Sequence, residues 1–502
     1  MIWRLVLLFC TLLPAVGRPA ALTRALDPRG RELLAASMHY AETYWDEEAG
    51  LLWSPVPEER GRFHRTRESA WYALGLLKRA QAGDEARACR IIEQVLALQL
   101  AAPGLPWDGT FRRAPEEPAP VKGAELWKDF DPNWRQFIGT TFALMLEEFE
   151  PRLPPALAEQ MVLSIRRAVV GEIVEGRAES YHTNVALMQS FLWGWAGARL
   201  HRSDWVEQSE AWAVTIQARF AEHETFDEYN SPTYYGVDLY GLALWRQLGA
   251  TEKFRQLGRG MEAALWRDIA RFYHAGLRNL CGPFDRAYGL DQRRYVSLVG
   301  LWMGLALEAG QAPMPDPSGP MDHAHDFLFA PNFVVLGTQI PPDVMPALRA
   351  FQHERALNRV ITPERTATAW ISNGLMLGGE ITAKTRGAGP RTDFPQFRPA
   401  TAHWRVGAAD VGAFALVACP PVDARAEPKR LSIATARGDA TFRIEATGST
   451  AAGITRGHWA LPNLEVSIDT DASDCDVEPG AGFIDVTYRA ATRLDLIVQQ
   501  RP

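Results

Sequence analysis

The spacing of apolar residues changes once along the chain, and that change constrains the fold more than any single motif. From about Pro28 to Gly310, apolar residues recur at three and four spacing in helix-length runs divided by short Gly, Pro and Asp punctuation. The stretch 311–326, QAPMPDPSGPMDHAHD, interrupts this rhythm with Pro and Asp. Beyond it the period shortens toward two. A helix buries a stripe and a strand buries alternate residues, so the two halves call for different packing layers.

The spacing predicts helices over 29–45, 66–81, 85–101, 134–150, 154–170, 183–200, 203–221, 233–248, 251–276 and 293–309. Arranged as antiparallel hairpins with no strict sequence period, they point to a closed (α/α) toroid, an incomplete barrel of helical hairpins, rather than a solenoid. The loops 103–133 and 222–232 are long enough to be functional. In the second half, FVVLG (333–337), 367–382, 412–418, 431–436, 440–446, 464–470, 483–490 and 494–500 alternate and predict an antiparallel β-sandwich, with a helix at 342–354 between the halves. The expected fold class is α+β multidomain: a leader at 1–20, a toroid at 21–318 and a sandwich at 319–502.

The 502 residues exceed one ordinary core. With 47% apolar and 23% charged residues the chain is globular rather than disordered. The net charge of -7 is mixed along the sequence, with no dense Lys/Arg block, which argues against nucleic acid as a partner. An acidic substrate stays open, because a cleft can carry positive charge against the global sign. At the N-terminus, Arg4 precedes an apolar run from Leu5 to Val16 with small residues at Ala15 and Gly17, the pattern of a secretory signal. That predicts a secreted or periplasmic protein, without a membrane span once the signal is removed. Cys89, Cys281, Cys419 and Cys475 show no metal-site spacing; export permits disulfides, and Cys419 with Cys475 is the pair to test.

Four segments concentrate polar and aromatic side chains where helices begin. FDEYNSPTYYGVDLYG, 226–241, sets Ser231 as a cap and Pro232 in the first turn, presenting Asn230, Tyr234 and Tyr235, with Asp227, Glu228 and Tyr240 close by. ESYHTNVALMQSFLWGWAG, 179–197, puts His182 and Asn184 at a helix start, where both can bind a carboxylate together with the helix dipole. DFDPNWRQF, from 129, opens a helix with Asn133 and Trp134. CGPFDRAYGLDQRRY, 281–295, offers Arg286, Tyr288, Arg293 and Arg294. Trp45, Trp53, Trp107, Trp127 and Trp134 lie in polar or turn-rich contexts, where flat aromatic faces suit sugar rings.

Read together in chain order, the segments resemble the toroid-plus-sandwich polysaccharide lyases: chondroitin AC and hyaluronate lyases, and the heparinase II/III-like and oligoalginate lyases. Asn133-Trp134 with Ile138-Gly139 looks like the Asn-Trp and Ile-Gly segment that lines their aromatic sugar patch. Asn184 falls where a helix-start Asn holds the substrate carboxylate. Ser231-Pro232-Thr233-Tyr234-Tyr235 looks like the Ser-x-x-Tyr-His of the heparinase-like enzymes, with Tyr235 where their His stands. Chondroitin and hyaluronate lyases carry a His where this chain has Asn230. Alignment on Tyr-Gly selects Tyr235 or Tyr240 as the base instead of Tyr234.

The resemblance implies β-elimination on a uronic-acid-containing glycan. Tyr234, Tyr235 or Tyr240 acts as base and acid, and Asn184, His182 and Arg286 act on the uronate carboxylate and the phenol. Asn133, Trp134, Asn230, Glu228 and Tyr288 bind substrate. Abstraction of the C5 proton needs the adjacent carboxylate neutralised as charge develops, and a Tyr base needs its pKa of about 10 lowered, a role that falls to Arg286. Two alternatives remain: a glycoside hydrolase pairing Asp227 or Glu228 with Asp131 or Asp285, and a non-catalytic glycan-binding protein. No organic cofactor and no catalytic metal is implied; His323, His325, His403 and His458 leave room for a structural ion in the β-rich part.

Overall fold

A computed structural model describes residues 25–59, 61–177, 179–180, 183–382, 396–407 and 410–501. The leader and His182 lie outside the described residues. The helical half comprises α1 (Pro28–Glu42), α2 (Thr66–Arg79), α3 (Asp84–Ala97), α4 (Trp134–Phe149), α5 (Pro155–Glu175), α6 (Thr183–Arg199), α7 (Ser203–His223), α8 (Tyr234–Leu248), α9 (Glu252–Phe272), α10 (Leu298–Gly304), α11 (Ala330–Leu336) and α12 (Met345–Arg349). Short strands β1 (Trp45–Asp46), β2 (Leu51–Trp53) and β3 (His64–Arg65) form one small sheet, and β4 (Tyr273–His274) pairs with β5 (Asn279–Leu280). None of the described helices is long and apolar enough to cross a membrane.

Helices α4, α6 and α8 are buried on nearly every side, as expected of helices that are apolar all round, and α2 is largely buried although charged residues mark both its ends. Each packs on the next; α8 packs on α10 and α11, and α11 returns to α2. The amphipathic α3, α5, α7 and α9 lie outside this inner row, each against an inner helix or its neighbour. The N-terminal ends of α4, α6 and α8 carry three of the four segments singled out from the sequence, and the fourth, 281–295, lies in the loop between β5 and α10.

The strand-rich half contains β6 (Arg355–Thr362), β7 (Arg365–Ser372), β8 (Leu375–Ile381), β9 (Ala400–Arg405), β10 (Val411–Ala418), β11 (Val422–Glu427), β12 (Arg430–Glu445), β13 (Ile454–Thr455), β14 (His458–Leu461), β15 (Leu464–Thr470), β16 (Asp474–Pro479) and β17 (Ile484–Gln500). Two separate stacked sheets are not what the pairing gives. All twelve strands join one antiparallel sheet, and β11 pairs with both β12 and β8, so the path β8–β9–β10–β12–β11 closes like a barrel. The stretches 431–436 and 440–446 are one strand, β12, whose register shifts around Gly438 let one half pair with β11 and the other with β10. Likewise 484–490 and 494–500 are both within β17, which begins one residue after Phe483.

Three local expectations change. FVVLG at 333–337 falls largely in α11, not a strand: Pro331 sits in its first turn and Phe333, Val334, Val335 and Leu336 are all buried, which removes any alternation. The helix expected over 293–309 is confined to Leu298–Gly304, starting where the Ser297 hydroxyl accepts from Gly300 N at 3.1 Å. Cys89, Cys281 and Cys475 are free thiols, so a Cys419–Cys475 bridge is not formed.

Candidate active site

The loop before α8 is built to aim Tyr234 outward. Asn230 adopts a left-handed φ of 52°, a conformation Asn tolerates better than most residues. Its amide donates to Cys281 O at 2.7 Å and Pro283 O at 2.8 Å, tying the α8 entrance to the loop after β5. Ser231 Oγ accepts from Tyr234 N at 3.1 Å and donates to Arg286 O at 2.6 Å, so one hydroxyl caps the helix and pins the loop carrying Arg286. On its far side this loop is held by the strand-rich half, with Ala287 N donating to Gln396 O at 2.9 Å and Phe284 pairing with Arg398.

Tyr234, Arg286, Tyr288, Glu228 and Asn184 come together as a result. The Arg286 guanidinium lies 3.9 Å from the Tyr234 ring centroid. Its Nη1 donates to Glu228 Oε1 at 3.1 Å and its Nε to Gln396 Oε1 at 2.9 Å. Asn184 Nδ2 donates to the other Glu228 oxygen at 2.6 Å. The Tyr234 and Tyr288 hydroxyls share a hydrogen bond of 2.8 Å. Tyr234, Arg286 and Tyr288 are half-buried, whereas Glu228 and Asn184 are buried.

Electrostatics departs from expectation at the phenol. Burial, reinforced by Tyr288, holds the Tyr234 phenol well above its ordinary value, although Arg286 pulls the other way. Lying over the ring face, the guanidinium adds cation–π attraction. Burial likewise raises the Tyr288 phenol.

Beyond Tyr288 the polar surface continues. The His323 ring stacks on Tyr288 at 4.0 Å, and His325 stands 4.0 Å from His323. Asn133 and Trp134, at the start of α4, belong to a neighbouring group: Asn133 Oδ1 accepts from Arg177 Nη2 at 2.7 Å, and Trp134 is buried beneath Arg67 at 5.2 Å.

The sequence matches a family described as a domain of unknown function (DUF8769) over residues 31–338. The chain belongs to the DUF8769 family. A second domain of unknown function (DUF8770) matches residues 349–483. The DUF8769 match therefore holds Asn133, Asn184, Tyr234, Arg286 and Tyr288, and Gln396 comes from the DUF8770 match. No curated protein matches the chain by sequence. Among solved structures, the chain is similar to heparinase III, at 9% identity and TM-score 0.48, covering 96% of this chain and 86% of that one. It is also similar to a mutant chondroitin AC lyase from Streptomyces coelicolor A3, at 9% identity and TM-score 0.44, covering 95% and 80%. For the heparan sulfate lyase HepC from Pedobacter heparinus the identity is 9% and the TM-score 0.35, covering 96% and 84%.

Not every candidate of the DUF8769 region joins the cluster. Tyr235 is fully buried, with its hydroxyl bonded to Thr225 Oγ1 at 2.7 Å, and burial holds its phenol well above the ordinary value. Tyr240 packs against Phe329 and Phe333 in the core, and its hydroxyl accepts from Asn332 at 3.1 Å. Asn230 is committed to backbone carbonyls, so it is a loop strut and offers no amide to a ligand. Gln396 and Arg67 carry little signal in the sequence. Gln396 lies in an unremarkable segment whose role exists only through its long-range contact, while Arg67, in HRTRES, had the weak signal of a cation at a helix start.

Proposed function

We propose that the chain is an exported polysaccharide lyase with a toroidal helical domain, cleaving a uronic-acid-containing glycan by β-elimination. One observation carries the reading: Asn184 and Arg286 converge on a single carboxylate, Glu228, with Arg286 also lying on Tyr234. Donors that hold Glu228 with this geometry have the chemistry to hold a uronate carboxylate. In the proposed reaction Tyr234 takes the C5 proton, the C4=C5 double bond forms as the C4–O4 bond breaks, and a proton ends on O4. Because Tyr288 is hydrogen-bonded to Tyr234, it serves as the acid that protonates O4, and the pair is restored when the proton crosses between the two hydroxyls. His182, two residues before Asn184 in sequence, is proposed to assist at the carboxylate. Asn133 and Trp134 are proposed to bind a more distant sugar.

A hydrolase is less well supported, because it needs two available carboxylates across the bond. Asp285 is fully buried and ion-paired with Arg365 at 2.5 Å, and Asp227 pairs with Arg219 at 2.8 Å.

The purified protein is assayed against a panel of uronate polysaccharides for an unsaturated product absorbing in the near ultraviolet. Activity is expected on at least one polymer, and Tyr234→Phe should reduce it by at least about 100-fold with unfolding behaviour unchanged. Reducing sugar released without near-ultraviolet absorbance rejects elimination. A fully active Tyr234→Phe protein rejects Tyr234 as the base.

A further inference from the structure

The short 3-10 helix Ala324–Phe329 and the residue before it bring together a group that the elimination reading does not use. The ring nitrogens of His323 and His325 and a carboxylate oxygen of Asp326 all lie within 4.8 Å of one another. His323 Nε2 is 3.4 Å from Asp326 Oδ2, and His325 Nε2 is 3.7 Å from Asp326 Oδ1. These separations are too long for good hydrogen bonds, which fall at about 2.7–3.2 Å. They are close to the spacing of about 3.4 Å between ligand atoms each about 2.1 Å from a tetrahedral ion.

An independent observation points the same way. Asp326 is only 6% exposed, yet its Oδ2 accepts no hydrogen bond from the described residues. A buried carboxylate oxygen left without a donor is costly unless a cation meets it. Arg67 acts on Asp326 through its charge, but its ion pair is with Glu68 at 2.7 Å, and Arg65 is paired with Glu59.

The geometry points to a divalent-cation site of the kind zinc occupies, formed by His323, His325 and Asp326. Two imidazoles and one carboxylate are a borderline-soft donor set suited to Zn2+. With three protein ligands the ion keeps a position open to solvent or to a ligand oxygen. Through the His323 ring, the site lies one stacking contact from the Tyr288–Tyr234 pair. The inference stands apart from the elimination reading, since it concerns residues with no part in that chemistry.

The test uses the full chain, stripped with a chelator and then titrated with Zn2+ alone, with uptake measured by equilibrium dialysis. One ion per chain is expected, and His325→Ala and His323→Gln should each weaken binding by more than about 100-fold. Substitution of Co2+ into the unaltered chain should give the intense visible spectrum of a four-coordinate site, a readout that needs no variant to fold. Protein that takes up no Zn2+ above the level of the buffer, or a His325→Ala chain that keeps the original affinity, overturns the proposal. Because no turnover is measured, failure here leaves the lyase reading untouched.

Discussion

At the scale of single residues, Glu228 governs the character of the cluster. Its two oxygens occupy donors of Asn184 and Arg286, so the cluster is built around a carboxylate. A half-buried guanidinium without such a counter-charge would be costly. The same carboxylate acts on the phenol: its negative charge is among the influences that raise Tyr234, after burial and Tyr288. A phenol raised in this way is protonated at neutral pH, so a step that needs its phenolate gains about tenfold in rate per pH unit as pH rises toward its pKa. The kcat/KM of the proposed elimination is therefore expected to climb on the alkaline side of neutrality. In Glu228→Gln one raising influence is gone, and the climb should move to lower pH. A profile that is flat in the parent protein, or that moves to higher pH in Glu228→Gln, would remove Tyr234 phenolate from the mechanism.

At the scale of elements, α8 presents Tyr234 only because its first turn seats closely on α10. Gly236 makes that approach possible: a Cβ built there would stand 2.3 Å from Leu298 Cβ and 2.5 Å from Leu298 C. The contacting atoms are Cβ and backbone, which cannot rotate away. Gly236→Ala is thus expected to cost about 1–3 kcal/mol, read as a lower urea midpoint, with loss of activity because the helix start must shift. An unchanged midpoint would mean that α8 and α10 separate freely. Trp302 supports the same contact, its Nε1 donating to Gly236 O at 2.8 Å.

At the scale of the whole molecule, the two halves meet beside the cluster through buried charge. Arg365 of β7 reaches Asp285 at 2.5 Å and Glu380 at 2.8 Å, and donates to Asp227 O at 3.0 Å. Both carboxylates are fully buried. Removing one partner of such a network leaves charge uncompensated, so Arg365→Met is expected to destabilise the protein by about 3–5 kcal/mol in denaturant unfolding. A loss below about 0.5 kcal/mol, the usual size of a surface change, would show that water reaches the pair. The junction also carries an acid-sensitive contact. His274 is fully buried, with Nε2 donating to Ser372 O at 2.9 Å and Nδ1 accepting from Leu277 N at 3.1 Å. Burial lowers its pKa from 6.5 to about 4. The unfolded chain takes up this proton before the folded one does, so the contribution is complete above pH 6.5 and lost as pH falls toward about 4. The slope is at most about 1.4 kcal/mol per pH unit. In His274→Gln, Tm should fall less steeply across that window; an unaltered slope would assign the acid sensitivity to other groups.

The sequence by itself determined that a helical half is followed by a strand-rich one, because the apolar period is a local property that each segment carries with it; the changeover lies later than the spacing predicts, since Ala330–Leu336 is still helical. It also located the helix starts that furnish Asn184 and Tyr234, since Ser, Pro and Asn at those positions act on the adjacent turn. Tertiary structure alone decided which tyrosine faces the cluster. Tyr234 and Tyr235 are consecutive on one helix, so they point about 100° apart, and only the surrounding packing selects the open side. The closure of the strands into one curled sheet was likewise hidden: the break around Gly438 reads as a turn, whereas in the fold it is a bend within β12 that serves two partners. Glu228 and Gln396 acquire their places through contacts spanning 44 and 110 residues, distances over which no local pattern carries information.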